Sequence, residues 1–402
     1  MSIIRLSMLN DGLYAPDSKG NIDYRQFTRA VGDNRGLGQM PLFHRGERPT
    51  PSSSLWRYLE HSLAIEAASL PAGKPVTVMV HGFQFDPAMA HVSPPHHHKA
   101  DNPHARLYHF ERHETPVEMR AHSTSWPLGL GFAEYDAGQE GLCIAFGWYS
   151  NPGFFSSLFG SGQNFYAKAY DNAESAAWQL TCILEVLATI LKRPIDLFCH
   201  SLGSRVVIRA LAMATSPLPG LAARHALPPG QRVVRPVLDH VDRVLLLAGA
   251  EKVLEAQLMM GHLMSWKKDG PSGARVPDFY NVVSRENDVL DKLGENFVPS
   301  TGGSKQVIGH NGLEQNRAGW VDIQLDDPEV AKWFRKKGGY EISGDNTSSL
   351  FAVLDHWIHY TWPDNMRVYN DILRDRGAWS LDVLKQEPVF DQVRLNRRPG
   401  HD

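Results

Sequence analysis

Short runs of consecutive apolar residues alternate along this chain with longer stretches in which apolar residues return every three or four positions. Val76-Thr-Val-Met-Val80, Leu142-Cys-Ile-Ala-Phe-Gly-Trp148 and Ile195-Asp-Leu-Phe-Cys199 are runs of the first kind. Val244-Leu-Leu-Leu-Ala248, Phe279-Tyr-Asn-Val-Val283 and Trp320-Val-Asp-Ile-Gln324 continue the series. Runs this short and this apolar predict strands buried on both faces. The second kind predicts helices. Residues 164–191 carry Ala169, Ala173, Ala176, Leu180, Ile183, Leu187 and Ile190 at helical spacing. A second helix follows Ser201 with Val206, Val207, Ala210 and Leu211, and a third spans 251–264. The first 70 residues predict one or two edge strands and a helix over 55–68. Strands alternating with helices predict an α/β fold, a mainly parallel central sheet with helices on both faces.

No repeat and no low-complexity linker divides the 402 residues, so a single domain, 1–402, is expected. After the strand that ends at His81, residues 83–141 are rich in proline and histidine and poor in strand pattern. They read as a cap-like insertion with short helices of its own. Composition narrows the function classes. Charged residues at 21% and hydrophobic residues at 42% are ordinary for a soluble globular protein. The 41 basic against 44 acidic residues leave a net charge of −3, so no nucleic-acid partner is expected. No run of about 18 uninterrupted apolar residues occurs, and no stable membrane insertion is expected. The first nine residues lack the pattern of a secretory signal, which makes a cytoplasmic location the default. Cys143, Cys182 and Cys199 are few and far apart, each in an apolar segment, and are expected to be buried free thiols. Oligomeric state leaves no mark in the pattern.

The chemistry is concentrated in Cys199-His-Ser-Leu-Gly203. Here an apolar strand runs into a tight turn and then into a helix. A serine at that junction has its hydroxyl pushed out at the C-terminal end of a sheet, with the N–H groups of the helix start behind it. Serine is a weak nucleophile until a base takes its proton, and the base must be oriented by a third group. Asp288 falls in the turn beyond the strand Phe279-Tyr-Asn-Val-Val283, with Glu286, Asp291 and Glu251 as competing acids. His356, in Leu354-Asp-His-Trp-Ile-His-Tyr360, falls at the mouth of what reads as a final helix, with His359 and His310 as competing histidines.

In these residues the chain resembles the α/β-hydrolase family, over roughly residues 74–360. That family's nucleophile elbow reads glycine, any residue, serine, any residue, glycine, and its acid and histidine follow in that order. Cys199 stands where the first elbow glycine is expected, a crowded position that a small side chain can fill. Val80-His-Gly-Phe83 resembles the family's oxyanion loop. The resemblance implies Ser201 as nucleophile, Asp288 as orienting acid and His356 as base, with the N–H groups of Phe83 and Leu202 as the oxyanion hole. It implies a serine hydrolase acting on a small-molecule carboxylic ester through an acyl-enzyme, with no cofactor. A lipase, thioesterase or acyltransferase with the same triad stays open, as does a non-catalytic binding module on the same scaffold.

Loops at the C-terminal ends of parallel strands line the ligand crevice. The 83–141 insertion and the segment after Trp148 are therefore expected beside Ser201, with Trp148, Phe154, Phe155 and Phe159 as an apolar wall for substrate. Nine of the 19 histidines fall between His81 and His122, including His109 and His113 at helical i, i+4 spacing. No acid or cysteine at ligand spacing completes a tetrahedral set there, so the 91–113 stretch is expected to bind no metal.

Overall fold

The computed structural model describes residues 3–8, 12–16, 42–44, 49–67, 70–88, 102–110, 124–134, 140–150, 162–215, 237–269, 275–285, 306–315, 317–344, 355–390 and 395. The strands are β1 (Ile3–Met8), β2 (Gly12–Tyr14), β3 (Phe43–His44), β4 (Val76–Val80), β5 (Leu142–Trp148), β6 (Ile195–His200), β7 (Val241–Leu247), β8 (Asp278–Val283) and β9 (Trp320–Gln324). They form one nine-stranded sheet in the order β3-β2-β1-β5-β4-β6-β7-β8-β9. Every pairing from β1 across to β9 is parallel. Only β2, pairing with β1 and β3 at one edge, runs antiparallel. The fold is mixed α/β with a mainly parallel sheet, and all six apolar runs read as strands lie in it.

The longer helices are α1 (Ser54–Glu66), α2 (Gly162–Leu191), α3 (Leu202–Thr215), α4 (Val253–Asp269), α5 (Pro328–Gly338), α6 (Asp355–Thr361) and α7 (Pro363–Arg374). Local chemistry sets their ends. Ser53 caps α1 by accepting from the Trp56 N–H. Asp327 caps α5 by accepting from the N–H groups of Glu329 and Val330, and Gly339 closes it in the left-handed conformation.

Side chains alternate across each strand, so the sheet has two buried faces of different character. One takes Val78, Val80, Ile144, Leu197, Cys199 and Leu246 and is covered by α1, α2, α3 and α4, whose contacts are mostly Ala, Leu, Ile and Val. The other takes Met79, Ala145, Phe198, Leu245, Tyr280 and Ile323 and is covered by Tyr108, Trp126, Phe334, Tyr360, Tyr369 and Trp379. Within α2, the stretch Tyr166–Leu191 is long and apolar enough by composition to cross a membrane (mean hydropathy 1.3), and 67% of that window is buried inside the protein. It packs along α3 on the aliphatic face.

Three features go beyond what the apolar pattern predicts. First, three strands precede residue 70 where one or two edge strands are expected, and β1 lies inside the sheet between β2 and β5. Arg5 and Ser7 break its apolar run, yet both are buried. Arg5 donates to the Tyr108 carbonyl at 3.2 Å, and Ser7 Oγ bonds His104 Nε2 at 2.8 Å. Those partners lie about a hundred residues away, in the insertion. Second, the described parts of residues 83–141, with one-turn helices Pro103–Arg106 and Trp126–Gly129, form a layer on the aromatic face. Tyr108 Oη donates to the carbonyls of Met79 (3.1 Å) and Phe146 (3.3 Å), and Trp126 meets the Phe198 ring edge-on at 5.1 Å. Third, the helix carrying His356 is not the last, since α7 and the turn Leu381–Leu384 follow it.

Candidate active site

Strand β6 is flanked by parallel neighbours on both sides and ends at His200. Ser201 then turns into the left-handed region, φ 53°, before α3 opens at Leu202. A non-glycine residue held there costs about 1–3 kcal/mol and persists only where its surroundings over-determine it. Here they do. The Ser201 N–H donates to the Leu247 carbonyl at 2.9 Å, while the Ser201 carbonyl accepts from Ala250 and Ser204 at 3.0 Å each. The turn also sits hard against the end of β4. A Cβ on Gly82 would come within 2.7 Å of the Ser201 Cβ, and one on Gly203 within 2.6 Å of the His81 carbonyl oxygen. Neither glycine can be replaced without moving backbone. Cys199 fills the crowded first position of the turn, its Sγ 3.6 Å from Ser204 Oγ and 3.5 Å from the Leu245 carbonyl.

The His81-Gly82 pair is locked by its own hydrogen bonds. The Trp148 backbone N–H donates to His81 Nε2 at 2.9 Å, so that nitrogen is the acceptor. The proton therefore sits on Nδ1, which donates to the Gly82 carbonyl at 2.8 Å. Burial drives this imidazole down to about 3, which keeps it neutral and in that tautomer. A trans peptide is planar, so pinning the Gly82 carbonyl aims the Phe83 N–H the opposite way. Leu202, as the first residue of α3, presents an N–H for which the helix itself holds no acceptor. The Phe83 ring meets Tyr166 of α2 edge-on at 5.7 Å.

His356 reaches this turn from the aromatic side of the sheet. Its ring lies 4.5 Å, centroid to centroid, from the ring of His200, the residue before Ser201. His200 Nε2 donates to the His356 carbonyl at 3.0 Å. Ser201 is 5% exposed and His356 6%, so both are buried at the sheet's end, joined through His200. Among the described residues no hydrogen bond joins Ser201 Oγ to an imidazole. In sites without substrate that bond is commonly long and tightens on binding. Burial, with the His200 and His359 rings adding to it, holds the His356 imidazole well below its ordinary range. His359, one turn further on, is fully enclosed, and neither of its ring nitrogens has a hydrogen-bond partner among the described residues.

The competing acid Glu251 is committed elsewhere. Its carboxylate accepts from Arg205 at 2.9 and 3.1 Å and from Tyr170 Oη at 2.8 Å, all on the aliphatic face. His310 bonds the Arg285 carbonyl at 3.1 Å. Asp288, Glu286, Asp291, Phe154, Phe155 and Phe159 lie outside the described residues. Trp148 is a correction: it is fully buried, stacks on His81 at 5.7 Å, and its indole N–H donates to the His81 carbonyl at 2.8 Å. It props the His81-Gly82 turn, its ring fully enclosed among the described residues. Among the described residues no group of three or more His, Cys, Asp or Glu is placed to hold a metal ion. Of the histidine-rich stretch, His104 and His109 are engaged with Ser7 and with the Arg106 carbonyl. Two residues escaped sequence reasoning, the tautomer-locked His81 and the bridging His200. Both stood inside the quoted motifs, but their partners are set by the fold.

The molecule is thus an α/β protein whose parallel sheet ends in a strained serine turn with a buried histidine beside it. No family model matches the sequence, and neither does any curated protein. Among solved structures, esterase B from Lactobacillus rhamnosis, inhibited by a tributyrin phosphonate, is similar at 10% identity over 82% of this chain and 97% of that one, with a TM-score of 0.27. A likeness that low carries no argument, so the reading below rests on the geometry and the motifs.

Proposed function

We propose that this protein is a serine hydrolase of the α/β-hydrolase type, cleaving a small-molecule carboxylic ester through an acyl-enzyme. The observation that carries the reading is Ser201 itself, held at φ 53° between β6 and α3 at the C-terminal end of a parallel sheet. His356 takes the Ser201 proton as Oγ attacks the ester carbonyl. The N–H groups of Leu202 and Phe83 hold the tetrahedral oxyanion, the second aimed by the His81 lock. Collapse expels the alcohol, which takes its proton from His356. Water, deprotonated by the same imidazole, then releases the acid. Asp288, which follows β8 in the sequence, is the orienting acid in this reading, and the full engagement of Glu251 with Arg205 and Tyr170 favours it over that competitor. No step calls for a metal or an organic cofactor.

The test is labelling of the folded protein with a fluorophosphonate, read by intact mass and peptide mapping. The expected result is one adduct on Ser201, absent in Ser201→Ala. A folded chain that takes no adduct would sink the enzyme reading. A panel of p-nitrophenyl esters of increasing acyl length, with thioester counterparts, then fixes which carbonyl compound is preferred.

A further inference from the structure

His200 occupies the variable position just before the serine, where only a side chain compatible with the turn is required. In this fold it lies between the helix that carries His356 and the turn at Gly82. Its Nε2 donates to the His356 carbonyl at 3.0 Å, its ring lies 4.5 Å from the His356 ring, and it meets the Tyr360 ring edge-on at 4.8 Å. On its other side, Nδ1 lies 3.1 Å from where a Cβ on Gly82 would stand. A carbonyl only accepts, so the proton is on Nε2 and Nδ1 faces the glycine. The helix that carries His356 is only seven residues long. Its far end is tied by Asn365, whose Nδ2 donates to the Ile358 carbonyl at 3.1 Å. Its near end is tied to the sheet by His200.

We infer that His200 is a positioning residue that docks the helix bearing His356 onto the nucleophile turn and so sets the approach of the base to Ser201. The inference rests on the proposed roles of Ser201 and His356. Burial brings the His200 imidazole down to about 4, so it stays neutral at working pH and keeps its Nε2 hydrogen bond to the His356 carbonyl.

His200→Gln keeps an N–H donor near the Nε2 position, while His200→Asn, one carbon shorter, and His200→Phe do not. Wild type and the three variants are compared for fluorophosphonate labelling rate, kcat, KM and thermal midpoint. Displacing a catalytic group by about 1 Å costs up to about 100-fold in rate, so Asn and Phe are expected to lose about 10- to 100-fold in kcat and labelling rate with KM little changed, whereas Gln retains most of both. If His200→Phe fails to fold, the Gln and Asn pair carries the comparison. Equal loss in Gln and Asn would overturn the inference in favour of a merely structural role, as would labelling of folded Asn or Phe variants at the wild-type rate. A wild-type protein that is not labelled at Ser201 fails the hydrolase reading instead, a result distinct from either.

Discussion

The two faces of the sheet are built by different means, and the proposed site takes one residue from each. On the aliphatic face, long helices lie flat on the strands. Ala169, Ala173, Ala176 and Ala177 of α2 are fully buried and let the helix come close. Among the described residues the helices of the aromatic face are shorter, α5 and α7 having 11 and 12 residues. One-turn helices and the C-terminal segments bring in large rings: Trp126 meets Phe198 and Tyr360 edge-on at 5.1 and 5.4 Å, and Phe334 stacks on Trp379 at 5.9 Å. Small side chains permit a regular layer held by many dispersion contacts. Big rings fix irregular segments by shape and edge-to-face geometry. Ser201 stands in the turn that leads into a helix of the first layer, and His356 in a short helix of the second. The proposed pair therefore depends on how the two layers meet at the end of β6.

That contrast can be broken at several points. The largest effect is expected from Ser201→Ala and His356→Ala, each lowering kcat on the order of 10⁴-fold or more, with the double variant no worse than either. A double variant far below the singles would mean that the two do not act as a unit. Next come truncations in the two layers. Trp126→Ala is expected to cost about 3–5 kcal/mol and Leu180→Ala about 2–5 kcal/mol in urea unfolding. Only the first should also lower kcat, because Trp126 supports Tyr360 and through it His200. Equal losses of kcat from both would show that the aromatic layer has no special hold on the base.

Acid comes next in size. His81 and His359 are driven to about 3, and His200 to about 4, by burial. An unfolded imidazole titrates near its ordinary 6.5. Between these values the unfolded chain binds more protons than the folded one. Stability is therefore complete above pH 6.5 and is lost as the pH falls toward 3–4, by up to about 1.4 kcal/mol per pH unit for each group. Urea midpoints at pH 8, 6 and 5 check this, and a flat profile would contradict it. The depressed His356 also places the acidic limb of kcat/KM below pH 6.5. The smallest effect belongs to His359→Phe. Its two nitrogens are buried without partners among the described residues, so replacing the ring with an apolar one should leave the melting temperature unchanged or slightly raised and activity intact. Loss of activity to the level of His356→Ala would move the base to His359.

Most of the aliphatic face was legible in the sequence. The apolar runs of β4 to β9 and the periodicity of α2, α3 and α4 carry their own assignments, because a layer of regular helices on parallel strands repeats one local pattern. The aromatic face was not. Trp126, Tyr108 and Tyr360 sit in segments too short for periodicity to register, and α7 went unread although Met366, Tyr369, Ile372 and Leu373 form its buried stripe. The place of β1 inside the sheet was not legible, because Tyr108 and His104, which satisfy Arg5 and Ser7, lie about a hundred residues away. Trp148 looked like a pocket wall for the same reason: an aromatic at a strand's end says nothing of what covers it.

The sequence by itself determined that a serine stands where a buried strand gives way to a helix, with glycine one residue past Leu202 and a small thiol two residues before the serine. Those are relations among neighbours in the chain, and backbone sterics act at that range. The tertiary structure alone decided which histidine docks against His200, which tautomer His81 adopts, and that Glu251 is spent on Arg205. Each of these depends on side chains far apart in sequence, 156 positions in the case of His200 and His356. Such contacts form only once the two faces of the sheet are closed.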